Sequence, residues 1–268
     1  MGKRRSSSQP EIVASAGDLV VERDPRRPSG RLLLQGEMEA SYIDLADPTY
    51  LEFDYLRWIR IVLHVAGARQ VLHIGGAGCA LARALAAEDP GGRQEVCESD
   101  AEVLEMARAH LGLRRAPGLR VRHAEGRAFL ADHPERRWDA VVIDAFDGAS
   151  VPRRLITAEA FAAFARAAPV ALLNVVDNRA ARDVRLIAAG MRTAFASVWT
   201  LGPRAGNTVV AGTAAPLDLT RVSSLAAADR SPARMTSPAT LEALLRGVAP
   251  LRDTDLRRTS VRRPRADA

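Results

Sequence analysis

From residue 70 onward the chain alternates short apolar runs with longer segments of helical spacing. Gln70–Ile74, Gln94–Cys97, Leu119–His123, Trp138–Ile143 and Val170–Val175 each read as a strand of four to six residues. Between them, Cys79–Ala87, Asp100–Leu111, Gly126–Asp132 and Thr157–Ala168 carry helix-type periodicity, and Ala180–Ala194 follows the last strand. Strands alternating with helices of this length predict a mostly parallel sheet covered on both faces. Two further strand-like runs near Ala196–Leu201 and Asn207–Ala211 have no helix between them. They predict an antiparallel hairpin at one edge.

Upstream the pattern differs. Leu19–Arg23 and Arg31–Ile43 read as two strands joined by the turn-rich DPRRPSG, and Asp47-Pro48 marks a break. Tyr50–Ala66 then places Leu51, Tyr55, Trp58, Ile59, Val62 and Leu63 on one helical face. The predicted organisation is a disordered basic tail over 1–17, a small β segment over 18–49, an α/β domain over 50–215 and a C-terminal extension over 216–268 that is partly helical and then a disordered basic tail. Within the extension, Ser237-Pro238 forms an N-cap and N1 pair for a short helix.

Composition changes this picture in one respect. The net charge of +6 and pI near 10 suggest nucleic acid. Eight of the basic residues, however, lie in the first five and last twelve positions, which leaves the body close to neutral. A nucleic-acid-binding fold needs its basic stripe on the fold itself, so no specific nucleic-acid partner is expected. The N-terminal MGKRRSSSQP lacks the apolar segment of a signal peptide, no stretch has the length of a membrane span, and Cys79 and Cys97 have no metal-ligand spacing. The expectation is a reduced cytoplasmic protein without a metal.

Four places carry candidate chemistry. Gly75-Gly76-Ala77-Gly78 follows a strand and opens a helix, where glycines let backbone N–H groups approach a ligand. The alternative is an ordinary tight turn. Glu98 ends the second strand, where a carboxylate accepts both hydroxyls of a ribose. Glu125-Gly126 follows the third strand; its acid suits either an adenine amino group or a helix N-terminus. In Asp144-Ala-Phe-Asp147-Gly an apolar run delivers Asp144 to the carboxyl edge of the sheet. Two carboxylates there suit a cationic substrate and proton removal from it, although Asp147 reads equally well as a loop cap. His73 is expected in the core, His123 near the pocket and Glu95 exposed. No lysine follows the glycine turn as in nucleotide hydrolases.

Together these residues resemble the spermidine synthase (polyamine aminopropyltransferase) family, of which the chain is a divergent likeness. The resemblance runs through DPTYLEF (47–53), VLHIGGAGCAL (71–81), VCESD (96–100), EGRAFL (125–130), WDAVVIDAFDG (138–148), LITAEAF (155–161), LLNVVDN (172–178) and GNTVVAG (206–212). It implies a Rossmann-like, methyltransferase-type α/β fold with a small N-terminal β domain. It implies decarboxylated S-adenosylmethionine as donor, putrescine or a similar polyamine as acceptor, and pairing of two copies through the N-terminal region. Residue by residue, it makes Glu98 the donor-ribose acid, Glu125-Gly126 the adenine contact, Asp144 the catalytic base, and Asp147, Tyr50 and Glu52 the substrate-side groups.

The chain departs from that pattern in four places. Its glycine turn has no Asp, Ala40-Ser41 stand where the family has Gln, Gly148 replaces a Pro, and a late Tyr is absent. These departures touch the amine half of the site more than the adenosine half. Two other readings therefore stand beside aminopropyl transfer: methyl transfer from S-adenosylmethionine, and nucleoside binding without catalysis.

Overall fold

The computed structural model describes residues 10–177, 181–203 and 206–261. The chain opens with a four-stranded antiparallel meander: β1 (Glu11–Ala16), β2 (Leu19–Arg23), β3 (Gly30–Gln35) and β4 (Met38–Asp44). Leu19, Val21 and Leu33 point to its buried face with the alternation a half-covered sheet requires. Two expectations are corrected here. The tail over 1–17 ends early, because Glu11–Ala16 pair with β2 around a left-handed Gly17; residues 1–9 lie outside the described part. The run 31–43 is two strands, since Gly36 at φ +58° closes a tight turn that sets Gln35 opposite Met38.

Helix α1 (Asp54–Val65) leads into the α/β part. There β5 (Gln70–Gly75), α2 (Ala80–Glu88), β6 (Arg93–Glu98), α3 (Ala101–His110), β7 (Leu119–His123), α4 (Gly126–Asp132) and β8 (Ala140–Asp144) follow in turn. They are succeeded by α5 (Ala158–Ala167), β9 (Val170–Asp177), α6 (Arg182–Met191), β10 (Ser197–Gly202) and β11 (Gly206–Thr213). The last part holds α7 (Leu219–Ala227), β12 (Arg234–Thr236), α8 (Pro238–Leu244) and α9 (Asp253–Val261). Asp100 and Ser237 cap their helices as expected.

The large sheet has the order β12-β10-β11-β9-β8-β5-β6-β7, parallel from β9 to β7 and antiparallel at β11, β10 and β12. Alternate residues feed two cores. Val71 and Val142 belong to the side covered by α1, α2, α3 and the meander, whereas Leu72, Ile74, Val141 and Ile143 belong to the side of α4, α5 and α6. Glu95 is corrected from exposed to 1% exposed. It lies on an interior strand, where Arg122 Nε (2.7 Å) and Arg136 donate to its carboxylate.

The 215/216 boundary is not a structural one. β12 covers the edge left by the β10–β11 hairpin, α7 packs on α1, and α8 packs against β10. The Asp229–Ser231 segment also grips α1. Asp229 accepts from the buried Arg57 at 3.0 Å, and Ser231 O accepts from Trp58 Nε1 at 2.9 Å. Among the described residues no helix is long and apolar enough to cross a membrane.

What this topology positions is a crevice. The chain leaves β5 toward β6 and β7 on one side and returns through β8 and β9 on the other, so loops diverge between β5 and β8. Open α/β sheets bind ligands at such a switch point. Gly75 and Asp144 are register partners there, which sets the glycine turn beside the acidic motif.

Candidate active site

The turn after β5 is wound through the left-handed region, with φ +79° at Gly75 and +99° at Gly76. Ala77 (φ 44°) and Cys79 (φ 61°) also lie there, at about 1 kcal/mol or more each for an L-residue. A Cβ on Gly75 would stand 2.5 Å from Asp144 O, so only glycine lets the two strand ends touch. The winding aims the Ala77 N–H at Glu98 Oε2 (3.3 Å), while Asp100 N donates to Glu98 Oε1 (3.0 Å). Burial pushes the Glu98 carboxyl above its ordinary range, opposed by backbone N–H groups of Asp100, Ala77 and Ser99. Each oxygen keeps acceptor capacity for a hydroxyl. Gly78, predicted to contact a cofactor, is absent from the cleft wall. A Cβ there would stand 2.7 Å from Ser41 Oγ of β4, so this glycine seats the meander on the α/β part.

Asp144 ends β8 and is held from both sides. Tyr55, in the first turn of α1, donates its O–H to Oδ2 at 3.0 Å, and Asn174 of β9 donates Nδ2–H to Oδ1 at 3.0 Å. Burial raises the Asp144 pKa, and these two hydrogen bonds oppose the rise. The Tyr55 phenol is pushed well above its ordinary value by burial and by the adjacent Asp144. Neither partner was singled out from sequence. Tyr55 counts there as one member of an apolar stripe, and Asn174 as part of a strand. The available signal was the lone amide in the run LLNVV.

The other candidates divide. Asp147 lines the cleft on an exposed loop, its backbone bridged to Ser150. Glu125 also lines it, but caps α4 by accepting from Ala128 N (2.8 Å) and pairs with Arg154 Nε (3.3 Å). Gly126 allows α4 to approach β5, since a Cβ would stand 2.5 Å from Ile74 Cγ2. Tyr50 and Glu52 are not among the residues lining the cleft. The Tyr50 O–H donates to the Glu52 carboxylate, Arg230 donates to both (3.1 and 3.2 Å), and Arg27 stacks 3.7 Å from the Tyr50 ring centroid. Glu52 is thus already paired with a cation of the chain itself. His73 is buried against Gln94 at 3.0 Å, and His123 bonds Ser99 O away from the cleft wall.

These groups face a cleft of ≈ 630 Å³, within the size range of small-molecule sites, about 300–1,000 Å³. The meander forms one wall with Asp18, Gln35 and Glu39. Glu98, Asp100, Glu125, Asp144 and Asp147 supply further carboxylates, against Arg154 as the one basic side chain of the lining among the described residues. The electrostatic preference is for a cationic ligand.

No protein-family model and no curated protein sequence matches the chain. Solved structures do. A probable spermidine synthase from Corynebacterium glutamicum superposes with a TM-score of 0.79 at 23% identity, over 91% of this chain and 97% of its own. The fold is that of the spermidine synthases. A spermidine synthase in complex with the transition state analogue AdoDATO gives a TM-score of 0.62 at 16% identity, over 93% of this chain and 88% of its own. Human methyltransferase-like protein 13 in complex with SAH gives 0.53 at 16% identity, over 78% and 99%. The spermidine-synthase fold of this chain thus shares its Rossmann-like α/β part with methyltransferases.

Proposed function

We propose that the protein transfers an aminopropyl group from decarboxylated S-adenosylmethionine to an amine, with Asp144 as the base. One observation carries this reading. A half-buried carboxylate, oriented by two donors, stands in register with a glycine turn inside a cleft whose charged lining is mostly acidic. Gly75, Gly76 and Glu98 would hold the adenosyl ribose, and Glu125 and Gly126 the base. An aliphatic ammonium has a pKa near that of lysine, about 10, and must lose a proton to attack. Burial makes Asp144 a stronger proton acceptor than an exposed carboxylate. The amine lone pair then attacks the methylene carbon beside the sulfonium. The C–S bond breaks, its electron pair stays on sulfur, and methylthioadenosine leaves.

The geometry changes the amine half of the expected site. Glu52 and Tyr50 are committed to Arg230, so Asp147, Asp18 and Glu39 are the carboxylates open to the far cation of a polyamine. A second reading, methyl transfer from S-adenosylmethionine, rests on Arg154. Among the described residues it is the one cation of the cleft wall, and it can pair with the donor's carboxylate, which no acid in the glycine turn repels.

Calorimetry with both donors and with methylthioadenosine separates the readings. Aminopropyl transfer requires tighter binding of the decarboxylated donor. Tight binding of S-adenosylmethionine alone, lost in Arg154→Gln, replaces it with methyl transfer. Failure of all three ligands to bind rejects the adenosyl site.

A further inference from the structure

Asn174 is 1% exposed yet belongs to the cleft wall. Its Nδ2–H is committed to Asp144 Oδ1. An ionised carboxylate only accepts, so this bond decides which end of the amide faces Asp144. The other end, Oδ1, is buried and has no hydrogen-bond partner among the described residues. Such an acceptor is unfavourable to leave unpaired. Tyr55 spends its single O–H on Asp144 Oδ2, and the register partner of Asn174 on β11 is the apolar Val209. Asn174 and Asp144 both line the cleft, which makes a ligand bound beside the Asp144 carboxylate the candidate donor.

We propose that Asn174 Oδ1 is the second acceptor for the attacking nitrogen, so that Asp144 and Asn174 together grip two N–H groups and select a primary amine. The inference rests on the transferase reading and names its acceptor class. A primary ammonium carries three N–H groups. One proton passes to Asp144, a second N–H stays on Asn174 Oδ1, and the freed lone pair forms the N–C bond as the C–S pair goes to sulfur. A hydroxyl has one proton and loses the second contact on transferring it. A dimethylated ammonium, with one N–H, fails in the same way.

The test is calorimetry on the full chain saturated with methylthioadenosine. The titrants are 1,4-diaminobutane, its N,N,N′,N′-tetramethyl derivative and 1,4-butanediol. The expected result is at least tenfold tighter binding of the diamine than of either analogue. Asn174→Leu should remove at least tenfold of diamine affinity with methylthioadenosine affinity unchanged. Equal binding of diamine and tetramethyl derivative, or an Asn174→Leu protein with undiminished diamine affinity, overturns the proposal. If Asn174→Leu fails to fold, the wild-type series decides. If methylthioadenosine binds and no diamine does, the proposal is overturned while the donor site stands. If methylthioadenosine fails to bind, the adenosyl reading falls, and the same three titrations on the free protein decide the amine grip alone.

Discussion

Among the described residues Asp144 has two hydrogen-bond donors and no cation beside it, and burial dominates its titration. This has opposite consequences for activity and stability. Asp144→Asn should lower turnover by about 10²–10⁴, the usual worth of a general base, with methylthioadenosine affinity retained in a direct binding assay. The same variant should melt higher than wild type at pH 7. A folded-state pKa above the unfolded one stabilises the fold at acid pH and loses that contribution as pH rises, so at neutral pH the buried charge is a burden that asparagine lifts. The melting difference should shrink toward pH 4. Tyr55→Phe removes one of the two donors and should raise the Asp144 pKa further, seen as a shift of the acid limb of the pH–rate profile to higher pH. Of these groups, Asp144 was legible in sequence because an apolar strand ends on an acid. Tyr55 and Asn174 were not, since a phenol in a helical stripe and an amide in a strand look like packing until their partner is known.

At the scale of elements, the site depends on close approach. Gly126→Ala would press a methyl against Ile74, a side chain that can shift, and should cost about 1–3 kcal/mol of unfolding free energy. Gly75→Ala should cost more than Gly126→Ala in the same urea titrations. Its Cβ would meet the backbone of Asp144 and Ala145 at a positive φ, and neither can yield without moving a central strand. The start of α1, which carries Tyr55, is secured by the distant Asp229–Ser231 segment. Asp229→Ala leaves the buried Arg57 with Asp54 as its remaining carboxylate partner and should cost about 3 kcal/mol, the lower end for breaking a buried pair. The helices and parallel strands were readable from their periods. The first strand, the Gly36 turn and β12 were not, because short strands at sheet edges bury too little to leave a clear alternation.

For the whole molecule, His73 makes stability sensitive to acid. Burial lowers its pKa to about 4, with the Gln94 contact opposing. An unfolded histidine titrates near 6.5. The fold is therefore fully stabilised above about pH 6.5 and should lose roughly 3 kcal/mol as pH falls toward 4. Urea midpoints measured between pH 7.5 and 4.5 should fall less steeply in His73→Leu than in wild type, whatever the variant's absolute stability. The sequence by itself determined the α/β architecture, the order of its parallel strands' motifs, the glycine turn, Glu98 and Asp144. Those follow from local period and from the rule that strand carboxyl ends meet at one edge. Only the tertiary structure decided the rest. It left Gly78 out of the cleft wall, paired Glu52 with Arg230, brought Gln35 into the cleft, and set Tyr55 and Asn174 on Asp144. The pairs behind these facts, such as Asn174 with Asp144 and Glu52 with Arg230, lie between 30 and 178 positions apart, and no local pattern encodes which distant group a side chain will meet.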